Sequence, residues 1–391
     1  MKEKESSRYQ DAVLLKRPRK ALASFLDILI LFIFSAVLFS ASDAILSVMP
    51  SYKTIQNEAG KRQENLYGIV AASKLSEYDG GRLSTPEACA EKYLKASVLA
   101  TLMEVKPEAE ISKKIYDGVE PITEETDGIF YYFTEFKTTN NLLFNEESRN
   151  NTGIEYYHRE ILGEKGLLYF DCWEDYPRLT ASSALAIDQY YLSASAEGEK
   201  IYEDVIKLYS DGNRKARADL EENYLPYLSE YAAFVSCRDS LLEMRGIAIL
   251  VSYVVSVLLV YLLFPLLFHD GKTISYRILD IGVTDLEGRV PGIGNHLLRN
   301  VFALLENMFL PFFLALLFFG GEGIYFMDIN ILGFFNLFVG MVFGIVFLVL
   351  SSLFDLWTRK GVHQTLVELL SLIVVRDGKE FKAREGVYER G

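Results

Sequence analysis

Four long apolar runs constrain the fold of this chain more than any other feature. A helix crosses the hydrocarbon core of a bilayer with about 20 predominantly apolar residues. The runs of about this length cover residues 21–48, 246–268, 301–319 and 332–354. A cleavable signal peptide is the alternative for the first run, but the apolar stretch of such a peptide usually has only about 7–15 residues. The sequence therefore predicts four transmembrane helices in a lipid bilayer.

Positively charged flanks predict the orientation of these helices. Four cations lie within residues 16–20, just before the first run, whereas residues 320–331 contain no Lys or Arg. Short segments rich in Lys and Arg stay on the cytoplasmic side. We therefore expect a multi-pass protein of the cell membrane with both termini cytoplasmic. The predicted cytoplasmic segments are residues 1–20, 269–300 and 355–391, and the predicted outer segments are residues 49–245 and the short loop 320–331.

The long segment between the first two runs, residues 49–245, is predicted to be an extracytoplasmic domain. It contains 22 Lys and Arg residues against 35 Asp and Glu residues, so its net charge of −13 equals that of the whole chain. Such an acidic surface argues against nucleic acid as a partner. The segment is also long enough to bury a core of its own.

Helical signals dominate this domain. Thr85, Pro86 and Glu87 have the order of an N-cap, a first helical position and a first turn, and Asp211-Gly212 is typical of a helix end. Residues 117–178 fit either helix or strand. The predicted fold class is an all-α membrane protein, with four transmembrane helices plus a mainly helical extracytoplasmic domain.

The sequence carries no recognisable catalytic or metal-binding motif. It lacks a nucleophile elbow, a phosphate-binding loop and a zinc-binding helix. Its three cysteines, Cys89, Cys172 and Cys237, do not have the spacing of metal ligands. We therefore expect neither an enzyme nor a bound metal or cofactor.

Polar residues inside the apolar runs form the candidate site. Asp27 lies about 9 Å into the first run and Glu306 about 8 Å into the third, both measured from the cytoplasmic side at 1.5 Å per residue. A carboxylate in the hydrocarbon core is costly unless it is paired, protonated or hydrated, so it suggests a functional site. The alternative is that these groups hydrogen-bond helices together. The predicted intramembrane cluster comprises Lys20, Asp27, Arg299, Glu306, Asn307 and Asp355. We expect Asp27 to face the bundle, where it either pairs with a cation such as Lys20, seven residues earlier on the same helix face, or bonds with polar groups near Glu306 and Asn307.

Two glycines in the fourth run predict close helix packing. Gly340 and Gly344 are four residues apart and share one helix face. Small residues at this spacing let helix backbones approach each other in a membrane.

Two stretches of the chain carry a family pattern. In the first run, Lys20, Ala23 and Asp27 occupy the places of an Arg-x-x-Ala-x-x-x-Asp motif, with Lys where Arg is expected. After the second run, "DGKTISYRILDIGVTDLEG" follows a pattern of Gly-x-Thr, a basic residue, an Ile-x-Val strand and a glycine. The residues that match are Gly271, Thr273, Arg277, Ile281, Val283 and Gly288, then Arg299 before the third run, and Asp355 and His363 after the fourth. Ser275 and Gln364 replace a Gly and an Asp of the pattern.

These motifs resemble those of the RDD family of membrane proteins, named for an Arg and two Asp in its spans. The resemblance covers residues 17–48 and 246–377 and ends at the predicted outer domain. It implies a membrane protein whose relatives are often described as transporters, with cation/proton exchange proposed for some.

The stretch "TLVELLSLIVV", residues 365–375, is apolar but too short to cross a bilayer. Because it follows a cationic turn, we predict an interfacial helix that lies at the inner membrane surface or packs under the bundle.

Two functions from different classes fit these features. The first is transport of an ion or small solute, by a homo-oligomer because four helices enclose little space for a pathway. The second is a membrane-anchored envelope sensor or interaction protein that binds a partner protein through its outer domain. The charged cluster supports transport, and the size of the outer domain supports the second function. We favour transport.

Overall fold

A computed structural model describes residues 17–142, 152–171, 176–268, 271–285, 291–357 and 365–377. The chain divides into two compact units. One, named here the membrane unit, comprises Met1–Gln56 with Arg238–Gly391, and the other, the helical domain, comprises Asn57–Cys237.

Four helices are long and apolar enough to cross a membrane, which confirms the prediction from the apolar runs. The candidate spans cover Pro18–Val48, Leu225–Leu267, Leu310–Met327 and Leu337–Phe354. The little strand present is in short pairs, so the predicted mainly helical architecture is also confirmed.

The helices of these segments are named spans 1 to 4. The name span 3 also covers the helix that precedes Leu310, and it leaves out the 3-10 segment Gly320–Met327. Span 1 is Arg17–Val48. Span 2 is Leu225–Leu258, and it continues through a π-helical turn, Leu259–Leu263, into Phe264–Leu267. Span 3 has two parts, Ile293–Glu306 and Leu310–Phe319, and span 4 is Leu337–Trp357. A 3-10 segment, Gly320–Met327, and a small hairpin of Asn330–Ile331 with Phe335–Asn336 connect spans 3 and 4.

Span 3 is interrupted at residues 307–309 because of Pro311. This proline lies in the first turn of Leu310–Phe319. A proline has no N–H to donate, and its ring clashes with the carbonyl four residues earlier, which here belongs to Asn307. Helix Ile293–Glu306 accordingly ends at Glu306, with Asn307 as its C-cap. The interruption places two polar residues at the end of a helix inside the bundle.

An antiparallel strand pair joins the loop after span 2 to the segment after span 4. Strand Ile281–Asp285 pairs with Ile373–Asp377 over five residues, from Ile281 opposite Asp377 to Asp285 opposite Ile373. Two short helices, Ile274–Ile278 and Leu366–Leu370, precede these strands. The apolar faces of this region form a small core that includes Ala23 of span 1.

The stretch 365–375, predicted as one interfacial helix, thus differs from the expectation. Its first half is helical, but its second half is the strand that begins at Ile373. The alternating residues Ile373 and Val375 are buried against the 281–285 strand. Pairing with this distant strand is the reason that residues 373–377 are extended and not helical.

The helical domain is built around four longer helices. They are Pro50–Ala72, which begins in the membrane unit, Pro86–Val105, Ala181–Ser193 and Ala196–Asn223. The predicted start at Thr85 is confirmed, since its side chain accepts a hydrogen bond from Ala88 N and Pro86 is the first helical residue. The shorter helical segments are Glu108–Glu110, Lys113–Tyr116, Gly128–Tyr131, Tyr132–Phe136, Lys137–Thr139, Gly153–Tyr156, Tyr157–Leu162 and Gly163–Gly166, and the strand pairs are Tyr78–Asp79 with Arg82–Leu83 and Phe170–Asp171 with Arg178–Leu179.

The helix end expected at Asp211-Gly212 is wrong, because helix Ala196–Asn223 continues through both residues. Gly212 is buried there, and a Cβ on it would lie 2.7 Å from the Ile161 Cγ2 methyl group. The glycine permits close packing of the helix, and it does not terminate it.

Candidate functional site: a polar cavity in the membrane unit

A cavity of about 60 Å³ lies among the spans of the membrane unit. Buried waters need roughly 10–15 Å³ each on this measure, so the cavity has room for about four. Its polar lining comes from spans 1 and 3 and from the segment after span 4: Ser24, Asp27, Arg299, Glu306, Asn307, Thr365 and Glu368. Residues far apart in the sequence therefore share one small space with a partly polar lining.

Asp27 is buried in span 1, with 3% of its surface exposed. Ser275 Oγ donates to its Oδ1 at 2.5 Å, and Thr273 Oγ1 donates to its Oδ2 at 3.0 Å. Thr273 is also the N-cap of helix Ile274–Ile278, where its hydroxyl accepts from Tyr276 N. Asp27 was expected to bond with polar groups near Glu306 and Asn307. Those residues line the same cavity, but the direct partners of Asp27 are hydroxyls from the loop after span 2.

Lys20 forms a buried ion pair that differs from the expected association with Asp27. Its Nζ lies 2.6 Å from Glu368 Oε2, and the two side chains are only 6% and 7% exposed. Glu368 is held by a capping box, because Thr365 N donates to Glu368 Oε2 at 2.9 Å and Glu368 N donates to Thr365 Oγ1 at 3.2 Å. Sequence reasoning missed Glu368, although a Thr-x-x-Glu spacing before an apolar run is the signal of a capping box.

Arg299 is buried at the start of span 3, beside the loop after span 2. Its Nη1 donates to Gly271 O at 3.5 Å, and its guanidinium lies 4.9 Å from the Tyr276 ring centroid and 5.5 Å from that of Tyr261. Gly271 has φ +68°, and a Cβ there would lie 3.0 Å from Pro291 Cδ. Glycine is thus required at this position both by backbone conformation and by the space available.

The other predicted residues have different placements. Arg277 is exposed and lies over the Phe268 ring, 3.8 Å from its centroid, so it is not part of the cavity lining. Gly288 and His363 lie outside the described residues. Asp355 belongs to span 4, but its side chain is likewise outside the described part of the chain.

The interruption of span 3 supplies the remaining polar groups. Glu306 lines the cavity. Asn307 is 2% exposed and donates through Nδ2 to Ala303 O at 2.9 Å. Its Oδ1 is buried and has no hydrogen-bond partner within the described ranges. An unpaired buried acceptor costs free energy, so the cavity holds an oxygen that is available to a ligand.

One of the two predicted packing glycines, Gly344, lies against this interruption, and the other, Gly340, lies against Phe335. A Cβ on Gly344 would be 2.7 Å from Phe309 N, and a Cβ on Gly340 would be 2.6 Å from Phe335 Cζ. Span 4 therefore passes so close to residues 308–309 that larger side chains do not fit.

Charge is unevenly distributed around the cavity. Three carboxylates, those of Asp27, Glu306 and Glu368, line it together with one guanidinium, that of Arg299. Lys20, paired with Glu368, adds a second cation. If all five groups are ionised, they sum to −1, and the arrangement favours a bound cation or proton.

The comparison with known families agrees with this architecture. Four spanning-length helices define a multi-pass helical membrane protein. Residues 228–363 match the model of the RDD family. The match includes spans 3 and 4 and most of span 2, with Gly271, Thr273, Arg299 and Glu306, but Lys20, Asp27 and Glu368 lie outside it. No curated protein and no solved structure matches this chain.

Proposed function

We propose that the membrane unit transports a proton or a small monovalent cation through the polar cavity. The observation that carries the proposal is the excess of carboxylates over cations in a buried space. Ionisable residues inside membrane spans commonly mark ion and proton pathways. Asp27 is the central group, because it is buried in span 1, lines the cavity and accepts hydrogen bonds from the hydroxyls of Thr273 and Ser275.

The size of the cavity supports a small cargo. About 60 Å³ accommodates a few waters or a partly dehydrated cation, whereas a sugar or amino acid needs more. The oxygens of Asp27, Glu306 and Asn307 are the hard ligands that alkali cations and hydrated protons prefer. Arg299 and Lys20 offset part of the negative charge, and this keeps cation binding weak enough for release.

The proposal includes an orientation. The cationic flanks of span 1 support a cytoplasmic location for both termini, and the helical domain is then on the outer side. With the native cysteines replaced, a Lys200→Cys variant should react with a membrane-impermeant maleimide in intact cells. Ile278→Cys, which is equally exposed but lies in the loop after span 2, should react only after permeabilisation. The opposite pattern would invert the orientation.

Transport is tested by the Asp27→Asn variant in reconstituted vesicles. Asparagine keeps the shape and most of the hydrogen bonding but removes the titratable charge. We expect normal insertion and at least roughly a tenfold loss of cation-driven proton flux, as is common when a group essential to proton transfer is removed. Asp43→Asn is the matched control, since Asp43 lies in the same span and pairs with Arg245 at 3.3 Å outside the cavity. Wild-type flux in the Asp27→Asn vesicles would refute the proposal.

Assembly is part of the same proposal. Four spans enclose little space, so we expect a homo-oligomer in which each copy carries its own cavity. Cross-linking in native membranes followed by mass determination tests this expectation.

We also propose a second function, in which the helical domain binds a ligand or partner in the cell envelope. An open cleft of about 220 Å³ within this domain favours it. A transport protein needs no such cleft away from its pathway. The two functions are compatible, because a ligand-binding domain can regulate the membrane unit of the same chain.

A further inference from the structure

The cleft in the helical domain has an aromatic and aliphatic interior. Leu66 and Val70 form its floor, with 6% and 4% of their surfaces exposed. The rings of Tyr67, Tyr227, Tyr231 and Phe234 line its walls. An apolar cavity of about 150 Å³ admits benzene, so 220 Å³ admits one six-membered ring with its substituents.

The two outer tyrosines present a flat surface. The Tyr227 and Tyr231 rings are 9° from parallel, with centroids 6.2 Å apart. Tyr231 is 47% exposed, so part of its ring is available for a ligand. Exposed aromatic faces of this kind are electron-rich and attract C–H groups that carry a slight positive charge.

Arg217 places hydrogen-bond donors at the cleft. One of its terminal nitrogens donates to Ser84 O at 2.7 Å and Leu75 O at 3.2 Å, which fixes the guanidinium. Its Nε is buried and has no acceptor in the part of the chain that the structure describes. The cleft therefore has a positioned cation with an unsatisfied donor.

Acceptors lie beside this donor. Glu221 is one helical turn after Arg217 on helix Ala196–Asn223, and it lines the same cleft. Gln63, also in the lining, donates through Nε2 to the Tyr67 hydroxyl at 2.7 Å, which leaves its amide oxygen available to a ligand. An anionic ligand would be repelled by Glu221, and a cationic ligand would be repelled by Arg217. A neutral ligand with hydroxyl groups suits both, because each hydroxyl donates one hydrogen bond and accepts others.

We propose that this cleft binds one pyranose ring of a neutral oligosaccharide. The apolar face of the ring stacks on Tyr231 and Tyr227. Its hydroxyls accept from Arg217 and donate to Glu221. The proposal rests on the second function above, ligand binding by the helical domain, and it names the class of ligand.

Saturation-transfer difference NMR on the full chain tests the proposal. The protein is kept in a detergent without sugar head groups, because a glycoside detergent would compete for the cleft. The probes are cellotetraose and chitotetraose as neutral sugars, an oligogalacturonate as an acidic sugar, and the tripeptide Ala-Trp-Ala. We expect saturation transfer to ring protons of a neutral sugar and not to the other two probes.

Variants decide whether the signal comes from the cleft. Tyr231→Ala should weaken neutral-sugar binding about tenfold through loss of a stacking face. Leu168→Ala is the control, since Leu168 is 69% exposed in the same domain and does not line the cleft. Glu221→Gln should weaken neutral-sugar binding only a few-fold, because the amide oxygen still accepts.

Three outcomes would overturn the proposal: no transfer to either neutral sugar, equal binding by Tyr231→Ala and wild type, or binding of the acidic sugar that increases in Glu221→Gln. Binding of the peptide alone would also refute the sugar ligand, yet it would leave the second function in place. If no probe binds, the second function and the sugar ligand both fail, whereas binding of the peptide alone refutes only the sugar ligand.

Discussion

Both units of this protein bury carboxylates, but they surround them differently. In the helical domain, Asp127 is completely buried, and it is the N-cap of Gly128–Tyr131. It accepts hydrogen bonds from the backbone N–H groups of Ile129 and Phe130, and from the hydroxyls of Tyr176 at 3.1 Å and Tyr157 at 3.4 Å. Four donors satisfy this one carboxylate.

Two further acids of the helical domain have the same kind of environment. Asp188 accepts from Lys106 at 2.8 Å and Tyr116 at 3.0 Å, and Asp219 accepts from Lys137 at 2.6 Å and Tyr132 at 2.7 Å. Each acid is matched by a cation and a phenol, so these networks hold elements together. They also give a structural role to several of the tyrosines concentrated in this domain.

In the membrane unit, Asp27 instead lies beside a cavity that has room for a ligand. Asp27 accepts from two hydroxyls beside a cavity with room for about four waters, and Asn307 Oδ1 in the lining of that cavity has no partner among the described residues. The comparison teaches that buried charge alone does not identify a functional site. A buried charge that lies next to open space and to oxygens without partners does identify a candidate functional site, because a ligand can occupy the space and bond to those oxygens.

The largest effect on stability should come from breaking the buried pair of the membrane unit. Lys20→Met leaves Glu368 as an uncompensated buried charge, at a cost of about 3–5 kcal/mol. We expect Tm in detergent to fall by about 10 °C. Lys53→Met, at an exposed position of a different helix, is the control.

The double variant Lys20→Met with Glu368→Gln sharpens this test. Neutral glutamine no longer needs the cation, so the double variant should recover a large part of the lost stability. If the stability losses of the two single variants simply add in the double variant, the interaction between Lys20 and Glu368 does not stabilise the protein.

A somewhat smaller loss is expected when a fully satisfied acid is removed. Asp127→Ala deletes the N-cap and leaves two phenols without an acceptor, at a cost of about 2–4 kcal/mol in the free energy of unfolding. The measurement is thermal unfolding followed by circular dichroism. Asp117→Ala, on the surface of the same domain, should change stability by less than about 0.5 kcal/mol. Equal effects of the two substitutions would contradict the structural role.

Asp127 should also give the stability of the helical domain a characteristic pH dependence. Burial raises the pKa of Asp127 above its usual 3.8, against the opposing effect of its hydrogen bonds. Between the unfolded and the raised folded pKa, the folded state binds more protons than the unfolded state. The contribution of Asp127 to stability is therefore complete below pH 3.8 and falls as the pH rises through the folded pKa.

The Asp127→Asn variant isolates this contribution. Its stability relative to wild type should improve as the pH is raised from about 4 to 7. A difference between the two proteins that stays constant over this range would show that the Asp127 pKa is not raised.

The smallest effect on stability should follow from Asn307→Leu. Leucine has a similar volume and removes an acceptor that had no partner, so the loss of one hydrogen bond to Ala303 is largely offset and Tm should change by only about 2 °C. Cation flux in vesicles should nevertheless fall if the free oxygen holds a water or an ion. A large fall in Tm would place Asn307 with the structural acids of the helical domain.

The sequence identified most of the candidate site because a polar residue is conspicuous in an apolar run. Four residues of the predicted cluster line the cavity: Asp27, Arg299, Glu306 and Asn307. Pro311 is a further signal that can be read from the sequence, because a proline bends or breaks a helix, and the interruption of span 3 lies immediately before it.

What the sequence did not predict depends on contacts between distant segments. Glu368 lies in a stretch whose apolar residues suggested only an interfacial helix, and the strand from Ile373 exists because of its partner at residues 281–285. The role of Ser275 was also missed. At this departure from the family pattern, the hydroxyl is what bonds Asp27, and no local signal specifies that contact.

The pair formed by Lys20 and Glu368 has a consequence for biosynthesis. The two residues are 348 positions apart, and a ribosome that adds roughly 5–20 residues per second needs about 20–70 seconds to make that stretch. During this interval span 1 has been made, but the acid that neutralises its lysine has not. A chain truncated before residue 368 would lack the Glu368 carboxylate that pairs with Lys20, and it would lack the strand that pairs with residues 281–285. Membrane proteases that recognise such defects would thereby distinguish incomplete chains from finished ones.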